Sequence, residues 1–419
     1  MNQETNPFDQ NFDNLETLAD AIYIAFHCPV TIEDANHRLL AYSSHENQTD
    51  PARIATIMGR RVPEQVISAL WKDGVMQRLL ESENPVRVSA MNDIGLGERV
   101  AIAIRKNNDV LGYIWLLEEN GHLGERELHQ LKRAAEAARA QLMRLQMKTR
   151  KEEKGYDDFF WQLLTGHLKS DDAIRERAKH LGLRLPERFY VTVLQFDTKI
   201  TDKLRQPIRY TLETTPAVRI ALHTVTDSQL ILLTSALSPS DGDAEEKRKP
   251  LLWMVRQMKQ RFGIFPGEMG SGMIYDDYAL VERSYQEALT LLEIKRRFPE
   301  ETKSAFYYSD LGYYRYLPYI LREKQLHPAE NPVLKKLRKY DREHNGDLLQ
   351  TLEVFLNNDS NVKEAADLLH IHVNTLTYRL KRIAEIGGID LNNADQKVTL
   401  YLDLKAEKMG SFPFDEAKR

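Results

Sequence analysis

At 419 residues and 48.6 kDa, with 42% hydrophobic residues, the chain is large enough to bury the cores of roughly two to four domains. A net charge of −4 and a pI near 6.3 exclude a generic polyanion binder, so any nucleic-acid contact must come from a local patch. The single cysteine, Cys28, excludes an intramolecular disulfide framework and a Cys-x-x-Cys metal site. The polar, acidic N-terminus and the lack of any apolar run near the ~20 residues a bilayer requires predict a soluble, cytoplasmic protein with no membrane partner.

The first segment, 1–147, opens with a helix over Leu15–Phe26. Pro29–Ser44 follows as two strands around a polar turn at Asp34–His37. Arg99–Glu119 reads as a hairpin, two apolar runs flanking Asn107-Asn108-Asp109. With a helical middle, these elements predict an α+β domain. The next helix, from about Gly124 to Lys151, carries Leu128, Leu131, Ala135, Ala138, Leu142 and Leu145 at alternating spacings of three and four, a short heptad seam. The seam either packs on its own sheet or forms a dimer connector. The charged run Lys148–Gly155 is expected as a solvated linker.

The second segment, 156–325, predicts two helices, a strand over Phe189–Asp197, and a helix that Pro207 interrupts or starts. Paired strands around Thr226-Asp227-Ser228, a helix over Leu251–Phe262 and a strand near Met269–Tyr275 complete it. The order β-α-β-β-α-β is the ferredoxin-like arrangement that nucleotide cyclases also use. An active cyclase requires a glycine- and acid-rich turn in the central hairpin; here Asp227 stands alone, so neither metal nor nucleotide phosphate is held. Gly263–Gly272 is glycine-rich but lacks the Lys-Ser/Thr of a phosphate loop and reads as a turn into a strand. No catalytic residue and no cofactor is expected.

The third segment, 330–419, is all-α. Asn331–His344 is a basic helix, and Asp347 with Gln350 has capping-box spacing. Asn361, with Glu364 three residues on, caps a short helix whose buried face is Val362, Ala365 or Ala366, and Leu369. The chain turns at His370 and a second helix begins. Val373, Leu376, Leu380 and Ile383 form one face; Asn374, Thr377, Tyr378 and Lys381 the other, flanked by Thr375, Arg379 and Arg382. Gly387 and Gly388 end it, and Asn393 caps a last helix. From His372 to Arg382 there are three basic residues and no acidic one, whereas Asp347–Met409 as a whole carries seven basic and ten acidic residues. Such side chains suit the DNA major groove, Arg and Lys on guanine or phosphate, Asn on adenine, Thr methyl on thymine. The candidate DNA-binding residues are therefore His372, Val373, Asn374, Thr375, Thr377, Tyr378, Arg379, Lys381 and Arg382. One such helix makes few phosphate contacts, so a dimer is expected on double-stranded operator DNA. His370 and His372 could face one metal, but no third ligand stands near, and no metal site is expected.

The stretch Leu348–Leu391, above all "IHVNTLTYRLKRI", resembles the C-terminal helix-turn-helix of the PucR/CdaR-type bacterial transcriptional regulators. "FFWQLLTGHLKSDDAIRERAKHLGL" and "SYQEALTLLEIKRRF" resemble that family's middle domain, a degenerate cyclase palm, and the first segment resembles a GAF-type sensor by architecture alone. The resemblance implies a regulator of catabolic genes, usually an activator, responding to a small-molecule effector: an amino acid such as proline, a purine derivative or a sugar acid. Arg99, with Tyr113 and Trp115 as walls, is the candidate effector site; the alternative is that Arg99 is a surface residue at a strand end. The competing function is a non-catalytic signalling scaffold whose last domain binds protein partners.

Overall fold

The computed structural model describes all residues except 1–6, 10–11, 44–48, 108, 119–122, 216–217, 237–243, 327–329 and 411–419. The chain divides into two compact units, Met1–Gln286 and Glu287–Arg419.

The first unit begins with α1 (Leu15–Phe26), β1 (Val30–Asp34) and β2 (Leu39–Tyr42). The helical middle follows as α2 (Pro51–Gly59), α3 (Glu64–Lys72) and α4 (Val75–Glu81), then β3 (Val86–Val88), β4 (Arg99–Lys106) and β5 (Asp109–Leu117). The five strands form an antiparallel sheet in the order β2-β1-β5-β4-β3. Strand alternation divides the core in two. Val100, Ile102 and Ile104 face α1, while Ala101, Ala103, Tyr113 and Trp115 face α2, α3 and α4. In the β4–β5 turn Asn107 is left-handed, with φ 54°; Asn108 lies outside the described residues.

The next helix, α5 (Glu125–Leu164), is 40 residues long. Its first half closes the α1 face of the sheet through Leu131, Ala134, Ala135, Ala138 and Leu142. The heptad seam is thus occupied by the chain's own core, and Leu145, expected on it, is 44% exposed. Gly112 permits this packing: a Cβ there would stand 2.1 Å from the Glu33 carbonyl oxygen and 2.6 Å from Leu142 Cδ2. The linker expected over Lys148–Gly155 is helical, part of α5. Lys, Arg and Glu are good helix formers, and neither Gly nor Pro interrupts the run before Gly155. Phe159, Phe160, Leu163 and Leu164 are buried at its far end.

The second sheet is built by α6 (Asp171–His180), β6 (Phe189–Gln195), α7 (Asp202–Thr214), β7 (Ile220–Val225), β8 (Gln229–Ser235), α8 (Ala244–Phe262) and β9 (Glu268–Ser271). Its order, β7-β8-β6-β9, all antiparallel, is the ferredoxin-like topology expected. Pro207 lies inside α7 rather than at its start.

The division between units falls within α9 (Val281–Arg297). The second unit continues with α10 (Leu317–Leu326), α11 (Pro332–His344), α12 (Leu348–Asn357), α13 (Val362–Leu368), α14 (Val373–Gly387) and α15 (Ala394–Met409). Leu334, Leu337, Leu352, Phe355, Ala365, Ala366, Leu376, Leu380, Ile383 and Leu400 make one core. A second joins Leu291, Ile294, Phe298, Leu317 and Leu321 to Ala406 and Met409 of α15. The last helix therefore closes both cores.

Candidate nucleic-acid interface and sensor cavity

The short helix α13 starts at Asn361, whose side chain accepts from the backbone N–H groups of Lys363 and Glu364. Replacing Asn361 with Ala removes that cap and is expected to cost about 1 kcal/mol, read as a lower denaturation midpoint of the second unit. Ala365 and Ala366 are both fully buried. The helix ends in a Schellman motif: Ile371 N–H donates to Ala366 O at 3.0 Å and His370 N–H to Asp367 O at 3.1 Å. His370 sits at the left-handed position, φ 53°. Four residues, Leu369–His372, separate α13 from α14. His372 is the N-cap of α14; its Nδ1 accepts from Asn374 N–H at 3.2 Å, which puts the ring proton on Nε2, a donor with no partner among the described residues.

On α14, Leu376, Leu380 and Ile383 are buried. Val373, expected to extend that face, is instead 38% exposed. Asn374, Thr375, Thr377, Tyr378 and Lys381 are exposed, and Tyr378 reaches 69%. Thr377 Oγ1 donates to Val373 O at 2.9 Å, leaving its methyl as the distinctive group. The three cations differ. Arg379 donates to Thr351 Oγ1 at 3.2 Å and lies 3.7 Å from Asp347, tying α14 to α12. Arg382 pairs with Glu385 at 3.1 Å and stands over the Tyr340 ring at 5.4 Å, tying α14 to α11. Lys381 has no ion pair among the described residues.

The capping box expected at Asp347 does not form: Asp347 makes no side-chain cap bond. Asp341 of α11 supplies that function, its two carboxylate oxygens accepting from Leu348 and Leu349 N–H, each at 2.9 Å. Gly388, at φ 68°, ends α14.

The first unit contains a second candidate site. A narrow cavity of about 20 Å³ lies between the sheet and the α2–α3 wall, lined among others by Glu33, His37, Arg53, Arg99, Trp115 and Leu70. Arg99 and Trp115 therefore meet there. Tyr113 does not reach the lining; it is buried behind it, stacked on His37 at 5.2 Å. Arg99 is not a surface residue: its side chain is 11% exposed and pairs with Asp50. Glu33, His37 and Arg53 escape a sequence search. Arg53 Nη1 and Nη2 donate to the carbonyls of Val30 (2.8 Å) and Ser43 (3.0 Å).

In the second sheet the β7–β8 hairpin carries Asp227 on an exposed ion pair with Lys199 at 3.0 Å. Among the described residues, no three His, Cys, Asp or Glu side chains group as metal ligands. Among them, too, no helix is long and apolar enough to cross a membrane.

A short helix bracing a second one, whose exposed stripe is polar, cationic and free of acids, defines a helix-turn-helix DNA-binding module. Residues 348–406 match the PucR C-terminal helix-turn-helix domain, and residues 165–294 match the GGDEF-like domain. The chain is 45% identical to the DNA-binding transcriptional activator AdeR of Bacillus subtilis, over 98% of this chain and 96% of that protein. It is 30% identical to the proline-responsive transcriptional activator PutR of the same organism, over 95% and 97% respectively. The carbohydrate diacid regulator of Escherichia coli is 29% identical over 56% of this chain and 61% of its own. The chain belongs to the PucR/CdaR-type family of transcriptional regulators.

Proposed function

We propose that this chain is an effector-responsive transcriptional activator of a catabolic operon. In this reading it works as a homodimer, α14 enters the major groove, and residues 1–147 are a GAF-like sensor holding a small amino acid. The observation that carries the reading is the exposed face of α14: Asn374, Thr375, Tyr378 and Lys381 on a helix fixed from behind by Leu376, Leu380 and Ile383 and from the sides by Arg379 and Arg382. Rigid presentation matters because base-edge hydrogen bonds tolerate little misplacement. The proline-responsive relative supports an amino acid as effector, and the pairing of Arg99 with Trp115 on one cavity supports its place. Domain limits of 156–325 for a degenerate, non-catalytic cyclase-like domain and 330–419 for the DNA-binding domain complete the proposal.

The test is retention of the gene's own upstream DNA by full-length protein at fixed salt with excess competitor. Truncation is a poor control, because cutting before α11 removes Ala406 and Met409 from the core around Phe298. Point variants are better. Asn374→Ala and Thr375→Ala are expected to lose about ten- to a hundredfold of the preference for operator over competitor, with little change in competitor binding. Arg379→Ala, which removes a polar tie between α14 and α12, and Lys381→Ala are expected to weaken binding to both. If all four bind as the parent does, another face reads the DNA; if the parent retains no operator, the scaffold function stands instead.

A further inference from the structure

The cavity wall continues into a buried hydrogen-bonded chain that leaves the first sheet and ends on the ferredoxin-like part of the same unit. Trp71 Nε1 of α3 donates to the Tyr210 hydroxyl of α7 at 2.8 Å, and that hydroxyl lies 2.9 Å from His37 Nε2. His37 Nδ1 lies 3.2 Å from Glu33 Oε2, which also accepts from Trp115 Nε1 at 3.1 Å. All five side chains are at least nine-tenths buried. One assignment satisfies every donor: Trp71 gives to Tyr210, Tyr210 to Nε2 of a neutral His37, and His37 Nδ1–H to Glu33. His37 takes a left-handed backbone, φ 60°, which His tolerates better than most residues.

The chain reaches the cavity at Glu33. Glu33 lines the cavity and is only 3% exposed, and its contacts with His37 and Trp115 both fall on Oε2, so Oε1 is the acceptor it can offer to a donor in the cavity. The lining mixes such polar groups with apolar ones, Val66, Leu70 and Leu96 among them, so a donor entering it has few competing acceptors. The cavity has room for about one water. A ligand with several heavy atoms can enter only by pushing the wall aside. That wall includes Val66 and Leu70 of α3, next to Trp71. The far side of α3 is gripped by the ferredoxin-like part: Arg261 Nη2 donates to Glu64 at 2.8 Å, and the Phe262 ring packs edge-on against Trp71 at 5.0 Å.

We infer that Glu33 is the specificity-determining residue of the sensor cavity, reading an N–H donor of a small amino acid, and that Tyr210 couples occupancy to α7. This deepens the proposed function and rests on its placing of the effector in this cavity. The ligand's ammonium or secondary amine meets Oε1, its carboxylate lies toward the Arg99 side, and displacement of α3 moves Trp71 against Tyr210.

The experiment uses full-length protein and, as probes, the twenty standard L-amino acids, each compared with the carboxylic acid that lacks its amine. At least one amino acid is expected to raise the melting temperature, and its amine-free counterpart to leave it unmoved. Glu33→Gln is expected to weaken the Kd of that amino acid by about tenfold or more, as loss of one charge-assisted bond implies. Tyr210→Phe, and Trp71→Phe with it, should keep the Kd within about threefold yet lose most of the ligand-dependent change in operator binding. A purely structural role for Tyr210 would not separate binding from response in this way. The inference is overturned by an amine-free acid that binds equally well, by failure of every amino acid to bind, by unchanged affinity in Glu33→Gln, or by a full response in Tyr210→Phe. The wild-type ligand comparison needs no variant to fold. Operator retention, measured on the same samples, tells failure of this inference from failure of the DNA-binding reading.

Discussion

Reversing the charge of Lys381 is expected to weaken operator binding by about a hundredfold, against about tenfold for Lys381→Ala. Of the three cations on α14, Arg379 and Arg382 already hold the helix to Thr351, Asp347, Glu385 and the Tyr340 ring. Lys381 alone has no ion pair among the described residues, so its positive charge is the one the helix can offer entire to a phosphate. In a dimer each substitution acts twice. The alanine variant should lower the slope of log K against log salt by about two, one for each half-site. Because Lys381 is exposed, the melting temperature should not move. Fluorescence anisotropy on labelled operator, repeated at several salt concentrations, measures both quantities. A glutamate variant that binds as the parent does would show that this edge of α14 faces away from DNA. A variant with lost affinity and an unchanged slope would assign Lys381 to a base rather than a phosphate.

The sequence made α14 legible because two independent periods coincide there. Leu376, Leu380 and Ile383 mark a buried face, and acids vanish from the opposite one. Both ends of α13 could be placed as well, since Asn361 is a favoured cap and His370 tolerates the left-handed backbone better than most residues. Other features depended on distant partners. Asp341 takes over the cap of α12 from seven residues away, which no spacing rule around Asp347 contains. The seam on α5 was correctly periodic, but spacings of three and four describe a stripe and not its partner; the partner is the chain's own sheet. The charged run after it has the composition of a linker, yet its Lys, Arg and Glu are also good helix formers and it is part of α5. The cavity was half legible. Arg99 and Trp115 share a hairpin, whereas Glu33 and His37 flank another turn and Tyr210 lies some 170 residues on. A weak signal did exist: Thr31 and Glu33 alternate with Val30 and Ile32, so a carboxylate stands on a strand buried on both faces.

Asp50→Ala is expected to destabilise the first unit by about 3 kcal/mol. Three roles converge on that carboxylate. Its Oδ1 accepts from Arg53 N–H at 2.7 Å and caps α2. Its Oδ2 accepts from Gly97 N–H at 2.8 Å and pairs with Arg99. Loss of an N-cap alone costs about 1 kcal/mol. Removing Asp50 also leaves the Arg99 guanidinium, on a side chain only 11% exposed, without its carboxylate, and that adds the larger share. Both α2 and Arg99 line the cavity, so the variant should lose effector affinity along with stability. Arg99→Lys should be milder, because a lysine can still reach Asp50 but gives up the guanidinium's bond to Gly97 O. Urea denaturation followed by tryptophan emission suits this unit, since Trp71 and Trp115 sit in the same core. Operator binding by the second unit at low temperature should persist in Asp50→Ala. That combination, a loosened sensor with an intact reading helix, separates Arg99's support of the cavity from any part in DNA binding. Equal stability of Asp50→Ala and parent would mean that the pair is solvated in solution and that Arg99 is free to meet an effector carboxylate directly.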